Sequence, residues 1–270
     1  MIHEILTEVD NATNELVEKA INTNKTSFLL LLARADVAKG LKGIVGTDCI
    51  TDYMGDLYRG ETAERFYIRY MNKNYKKEGF TYEGEDGLDA LSIEMMIYTH
   101  LWASHHILKS LFRFGSIFKG QDYPWELNMD DLSIGRWDWM KNNVIDPSDS
   151  ANLKLATIIK NTFSTDIRDA FAHALYSIDI EQRKIHLYPK RRKLELTFGE
   201  FQRKFLCSVL LINTLHNKMA IWHDQYASLN TCLTKPFLTP EGMKCQLYGK
   251  MQNRGGALYP EFRLVRITKE

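Results

Sequence analysis

Cleaving an RNA phosphodiester without a metal needs two kinds of group: one that moves the 2′-hydroxyl proton near neutral pH, and a fixed cation that holds the phosphate as charge builds. Histidine and arginine are those groups. Arg168 and His173 are separated by four residues in Ile167-Arg168-Asp169-Ala170-Phe171-Ala172-His173-Ala174-Leu175-Tyr176, with Asp169 four positions before the histidine. On a helix, Asp169 and His173 would be surface neighbours, so the carboxylate can orient the imidazole or Arg168. The spacing itself is common in any chain of this size, so the surrounding pattern has to carry the reading.

That pattern predicts one helix over 149–176. At about 100° per residue, Leu155, Ile158, Ile159, Phe163, Ile167, Ala170, Phe171 and Ala174 gather on a core-facing side. The opposite side holds Asn161, Thr165, Arg168, Asp169, Ala172, His173 and Tyr176. Its small residues, Thr165 and Ala172, make a shallow strip suited to a phosphate chain or to a symmetric partner. Asn161, Thr165 and Tyr176 are therefore candidate substrate contacts. The basic run Lys190-Arg191-Arg192-Lys193 close behind is a candidate phosphate track at Lys190, Arg191 and Arg192, with a solvated turn as the alternative.

The elements around this segment are mostly helical. Residues 2–21 have amphipathic spacing, a second helix is expected from Thr26 or Ser27 to near Gly40, and Leu91 to Phe118 reads as a central helix. Gly120 to Asp146, which holds Trp125, Trp137 and Trp139, reads as a long connection with at most a short helix. Residues 177–180 and 184–188 alternate about a polar turn, the pattern of a hairpin. Thr197-Phe198-Gly199-Glu200 matches a capping box and starts a helix to about Ala227, with Phe201, Phe205, Val209, Ile212, Leu215, Met219 and Trp222 in one stripe. The remainder, with Pro236, Pro240, Gly255-Gly256 and Pro260, reads as a loosely packed appendage of one or two strands. The 61–77 stretch interleaves Arg65, Arg69, Lys73, Lys76 and Lys77 with Phe66, Tyr67, Tyr70 and Tyr75, a mixture that suits single-stranded RNA but equally a packed helix with a wet basic face.

Composition bounds the rest. With 44% hydrophobic and 26% charged residues the chain can bury a proper core, and its 270 residues leave the domain count open between one and two. Lys+Arg number 35 against 34 Asp+Glu, so no overall field draws it to a polyanion and any such site must be local. Cys49, Cys207, Cys232 and Cys245 form no C-x-x-C pair, which argues against a zinc knuckle and a disulfide framework and points to a reducing cytoplasm. The longest apolar run, 28–33, is far short of the roughly 20 residues of a membrane span. The acidic start is unlike a signal peptide. His100, His105 and His106 lack the i, i+3 or i, i+4 relation to one another across His100 that a helical metal site wants, and His216 and His223, seven apart beside the apolar stripe, either line an RNA groove or border the core. Phosphate-loop, dinucleotide and nucleophile-elbow motifs are absent.

The 167–176 segment, followed by Ile178-Asp179-Ile180 and Lys184-Ile185-His186-Leu187, resembles the R-[N/D/H]-x-x-x-H segment of the HEPN superfamily, and the hairpin after the histidine is similar to several of its families. The resemblance spans about 90–225 in helix order. It implies a mainly α fold: a HEPN-like helical bundle at 91–227, a small β-hairpin after the motif helix, a helical N-terminal extension at 1–90 and a C-terminal appendage at 228–270. It further implies a homodimer with metal-independent endoribonuclease activity, no cofactor, RNA as substrate and, in toxin–antitoxin or antiphage systems, an antitoxin or regulatory partner. Arg168, Asp169 and His173 match the motif positions. Toxin members modified on a tyrosine two residues after the histidine differ here, because Leu175 occupies that place and Tyr176 follows it. A HEPN-like module that only dimerises or binds RNA or a partner is the alternative.

Overall fold

A computed structural model describes residues 2–37, 48–52, 70, 84–127, 135–189 and 193–267. The chain is mainly helical with small sheets. Helix α1 (Ile2–Thr23) buries Ile5, Val9, Leu16 and Val17 at i, i+3/i+4 spacing. Asn24 ends it and caps α2 (Lys25–Leu32), its side chain accepting from the Ser27 N–H at 3.0 Å. Every residue from Phe28 to Leu32 is buried, as expected of a helix that is apolar all round. It stops at Leu32, short of the expected Gly40, which lies outside the described residues.

Helix α3 (Gly84–Leu101) and helix α4 (His105–Phe118) replace the single central helix expected over 91–118, the chain breaking at 102–104. Trp102 fills that break, fully buried, with its indole N–H donating to Ser208 Oγ at 3.1 Å. The expected connection contains more helix than its composition implied. Helix α5 (Arg136–Met140) runs through a π turn (Lys141–Ile145) into α6 (Asp146–Ser150). Pro147 supplies the cause: it has no N–H to give the Asn143 carbonyl four residues back. That carbonyl lies instead against Gly115 of α4, where any Cβ would overlap it.

The helix expected over 149–176 is also divided. Helix α6 closes with Asn152 in the left-handed region, its N–H bonded to Asp149 O and the Leu153 N–H to Ser148 O. Helix α7 (Lys154–Thr162) follows, then α8 (Thr165–Ala172) after an extended Phe163. The buried Tyr98 hydroxyl holds this second break open, donating to Thr162 O at 2.7 Å and accepting from the Ser164 N–H at 2.8 Å. Ser164 then caps α8 through the Ile167 N–H. Apolar spacing continued across both breaks because Leu155, Ile159, Phe163 and Ile167 are all buried, so periodicity alone read one helix.

Strands β1 (Asp36–Val37) and β2 (Cys49–Ile50) pair antiparallel. Strands β3 (Tyr176–Asp179) and β4 (Lys184–Leu187) form the expected hairpin, with Ile178 opposite Ile185, and β5 (Leu194–Thr197) adds a third strand. Helix α9 (Phe198–Ala227) starts with the full capping box at Thr197 and Glu200, and its Phe201, Phe205, Val209, Ile212 and Leu215 are buried. Beyond it β6 (Phe237–Leu238), β7 (Lys244–Arg254) and β8 (Ala257–Arg266) make an antiparallel sheet that turns at Gly255-Gly256. This corrects the expectation of a loose appendage. Leu247, Phe262 and Leu264 join the main core, and Gly249 lies so close to the Tyr226 and Ala227 carbonyls that a side chain would collide with them. Residues of all three expected spans, 1–90, 91–227 and 228–270, thus share one hydrophobic core. No helix among the described residues is long and apolar enough to cross a membrane.

Candidate active site on the second half of the divided helix

Helix α8 buries Ile167 and Ala170 against the bundle and turns Arg168, Asp169 and Ala172 outward. It ends in a paired set of C-terminal bonds: the Ala174 N–H bonds Phe171 O at 3.2 Å and the Leu175 N–H bonds Ala170 O at 2.7 Å. Ala174 therefore takes a left-handed conformation (φ 54°) usually given to glycine, at a cost on the order of 1 kcal/mol. The Tyr188 N–H donates to Leu175 O at 2.9 Å, which fastens the end of the helix to the hairpin strand β4. His173 is the last residue before this turn. Its backbone N–H donates to Asp169 O, and its exposed ring makes no hydrogen bond or ion pair to any described residue. The expected core-side position of Ala174 is corrected by the same turn, which leaves it exposed.

Asp169 serves the arginine. Its Oδ1 lies 2.5 Å from Arg168 Nη1, and no bond to the His173 ring is formed. Arg168 is three-quarters buried on its side chain, and its Nε, sealed from solvent, finds no acceptor among the described residues. A buried donor of this kind costs about 1–3 kcal/mol until an acceptor reaches it. The guanidinium is thus held in place and incompletely satisfied.

The break at Phe163 sorts the remaining expected contacts. Thr165 opens α8 and shares its outer face with Arg168, Asp169 and Ala172 at i, i+3, i+4 and i+7. Asn161 belongs to the preceding helix; it is exposed, and its carbonyl accepts from Lys204 of α9. Burial lowers the Lys204 pKa. Tyr176 stands on β3 with its ring stacked on Phe171, 5.6 Å apart. Lys190, Arg191 and Arg192 lie outside the described residues, as does the basic and aromatic 61–77 stretch apart from Tyr70.

Two side chains beside this site were not singled out from the sequence. Arg136 opens α5 after the left-handed Gly135 and donates from Nη1 to Trp102 O at 3.1 Å. Its pKa is lowered by burial first and by the Arg168 charge second, with Asp169 opposing, which puts all three groups in one electrostatic neighbourhood. Trp137 follows, 39% exposed, stacked in parallel on Phe163 at 6.0 Å; Phe163 in turn meets Trp102 edge-on at 5.1 Å. The available signal was an Arg-Trp pair in a segment without helical periodicity, too weak to stand alone.

Three other histidines are differently employed. His106 of α4 and His216 of α9 meet edge to face at 5.8 Å. His223 is clamped at both nitrogens, by Asp52 at 2.8 Å and Asp224 at 3.0 Å. Asp36 is buried beneath Lys109 and Arg113, and Arg113 also donates to the Trp125 carbonyl and packs on the Tyr123 ring, which makes this cluster an anchor for the 119–127 segment. Among the described residues no three His, Cys, Asp or Glu side chains converge as a metal site. Comparison of the chain with protein-family models, with curated proteins and with solved structures finds no match.

Proposed function

We propose that the chain is a metal-independent endoribonuclease of HEPN type, active as a homodimer. The observation that carries this reading is the pairing, on one eight-residue helix, of a fixed and under-satisfied Arg168 with an exposed His173 at the helix end. Arg168 bonds the non-bridging oxygens of the scissile phosphate, and Asp169 holds its guanidinium in place. His173 takes the proton of the 2′-hydroxyl, O2′ attacks phosphorus, and the O5′ bond breaks. The departing O5′ takes a proton from His173 of a second copy related by a two-fold axis, leaving a 2′,3′-cyclic phosphate and a 5′-hydroxyl. Two imidazoles and two guanidiniums supply all the charge and proton transfers this route needs. A defence or toxin setting, with an antitoxin or regulatory protein as partner, and a HEPN-like arrangement of the bundle are parts of the same proposal.

Incubating the purified protein with mixed single-stranded RNA, with Arg168→Ala and His173→Ala in parallel, tests it. Cleavage that persists in EDTA, yields cyclic phosphate ends and vanishes in both variants is the expected result. Equal cleavage by all three proteins rejects the site.

One observation favours a second reading, a non-catalytic dimerisation or binding module. Leu175 and Tyr188, 44% and 41% exposed, lie side by side at the end of α8, joined by the Tyr188 N–H to Leu175 O bond, and form a small apolar surface that suits a protein partner. That module shows no cleavage, and replacing Ala172 with a bulky residue abolishes its dimer in light scattering.

A further inference from the structure

Trp137 is a large aromatic held in one orientation with much of its surface in water, and the residue before it is a pinned cation. Phe163, only 3% exposed, is locked by Trp102 on one side and supports the indole on the other at an interplanar angle of 6°. The indole therefore presents its remaining face without losing rotamer freedom on binding. Arg136 is held by the Trp102 carbonyl, so both side chains hang from the same buried tryptophan. Arg136 shares one electrostatic neighbourhood with Arg168 and Asp169, and since α5 and α8 also carry Asp138 and Asp166, its pull on a phosphate is that of a single placed guanidinium rather than of a net positive field.

We propose that an unpaired base of single-stranded RNA stacks on Trp137 while Arg136 takes an adjacent phosphate, so that the binding site extends from α8 across α5. The inference rests on the ribonuclease reading of α8 and adds the substrate class to it. A π face selects for a base that is free of its own stack, which duplex RNA does not offer, while a guanidinium beside it reads backbone and not sequence. The extension also gives the parallel Trp137–Phe163 pair a role that packing alone leaves open, because a core tryptophan would be covered.

The test uses the full-length chain carrying His173→Ala, so that the RNA stays intact, and a fluorescein-labelled single strand of about 12 nucleotides, alone or annealed to its complement. Trp137→Leu keeps an apolar cover on Phe163 and removes the π face; Trp137→Phe keeps both. The dissociation constant for the single strand is expected to rise about tenfold with Trp137→Leu and less than about threefold with Trp137→Phe. Duplex should bind more weakly than single strand. Quenching of tryptophan emission by RNA should disappear in Trp137→Phe, and quenching that survives there overturns the proposal even if the leucine variant fails to fold. Unchanged affinity in a folded Trp137→Leu overturns it as well, and leaves the catalytic reading of Arg168 and His173 standing if those variants still lose cleavage. A parent protein that binds no RNA defeats both.

Discussion

His173 and His223 each stand near a carboxylate on a helix, yet the two regions use the imidazole in opposite ways. His223 of α9 gives both ring nitrogens to carboxylates, Asp52 and Asp224, and packs edge-on against Phe262. The other oxygen of Asp52 accepts from the Phe262 N–H at 2.9 Å, and the Asp52 N–H reaches the Ala33 carbonyl at 2.6 Å. One histidine thereby ties the end of α2, the long helix and the C-terminal sheet together. At His173 the nearby Asp169 turns to Arg168 and the ring is left to solvent. A ring whose hydrogen bonds are all spoken for cannot take a proton from a substrate without breaking the fold, whereas an uncommitted one can. The difference separates a histidine that builds from one left uncommitted, as the proposed cleavage requires.

Removing one ring at a time should produce opposite losses. His173→Ala is expected to reduce RNA cleavage by about 100-fold or more while shifting the unfolding midpoint little, since its ring is exposed. His223→Ala should do the reverse. It leaves the Asp52 carboxylate without its imidazole partner and is expected to cost about 1–3 kcal/mol in urea unfolding, with the cleavage rate per folded molecule retained. If both variants lose both properties, the division between the two regions is wrong.

How far this division was legible in sequence depends on what fixes each element. The start of α9 at Thr197 was readable because a capping box is local, and α1 because its apolar spacing is uninterrupted over five turns. The break between α7 and α8 is imposed by the Tyr98 hydroxyl from 64 residues away, which no local pattern records. The motif itself was legible, but the partner assigned to Asp169 was not, since a neighbour one residue away and one four away are both within reach of a short carboxylate. The clamp on His223 depends on Asp52, 171 positions earlier, and from spacing the ring could be placed no more closely than at the border of the core or along an RNA groove.

The clamp on His223 also ties stability to pH. Burial alone would lower the pKa of His223, but the hydrogen bonds and charge of Asp52 and the bond to Asp224 outweigh it, against opposition from Arg34, and the net shift is upward from 6.5. A raised native pKa means a contribution to stability that is complete below the unfolded value and lost as pH rises through the native one. The urea midpoint should therefore fall as pH rises from below 6.5 through the raised native pKa, and by more in the parent than in His223→Ala. Parallel curves for the two proteins would show that the clamp does not depend on a protonated ring.

The smallest expected effect lies beside His173. Ala174 holds a left-handed backbone, so Ala174→Gly should stabilise the chain by about 0.5–1 kcal/mol in the same unfolding assay. A loss of stability would mean that the turn after His173 is not strained, and that the helix end is less constrained than its hydrogen bonds indicate.

The π turn between α5 and α6 has a consequence for how the chain can vary. An α-helix advances about 100° per residue, and a π turn accommodates one residue beyond an α-helical count. The extra residue is taken up within Lys141–Ile145, so α5 and α6 keep nearly the mutual facing of one continuous α-helix a residue shorter. A residue inserted at Trp139 or Met140, with no second π turn to absorb it, would rotate Arg136 and Trp137 by roughly 100° about the helix axis and away from α8. A lengthened chain could thus keep both residues and lose their alignment.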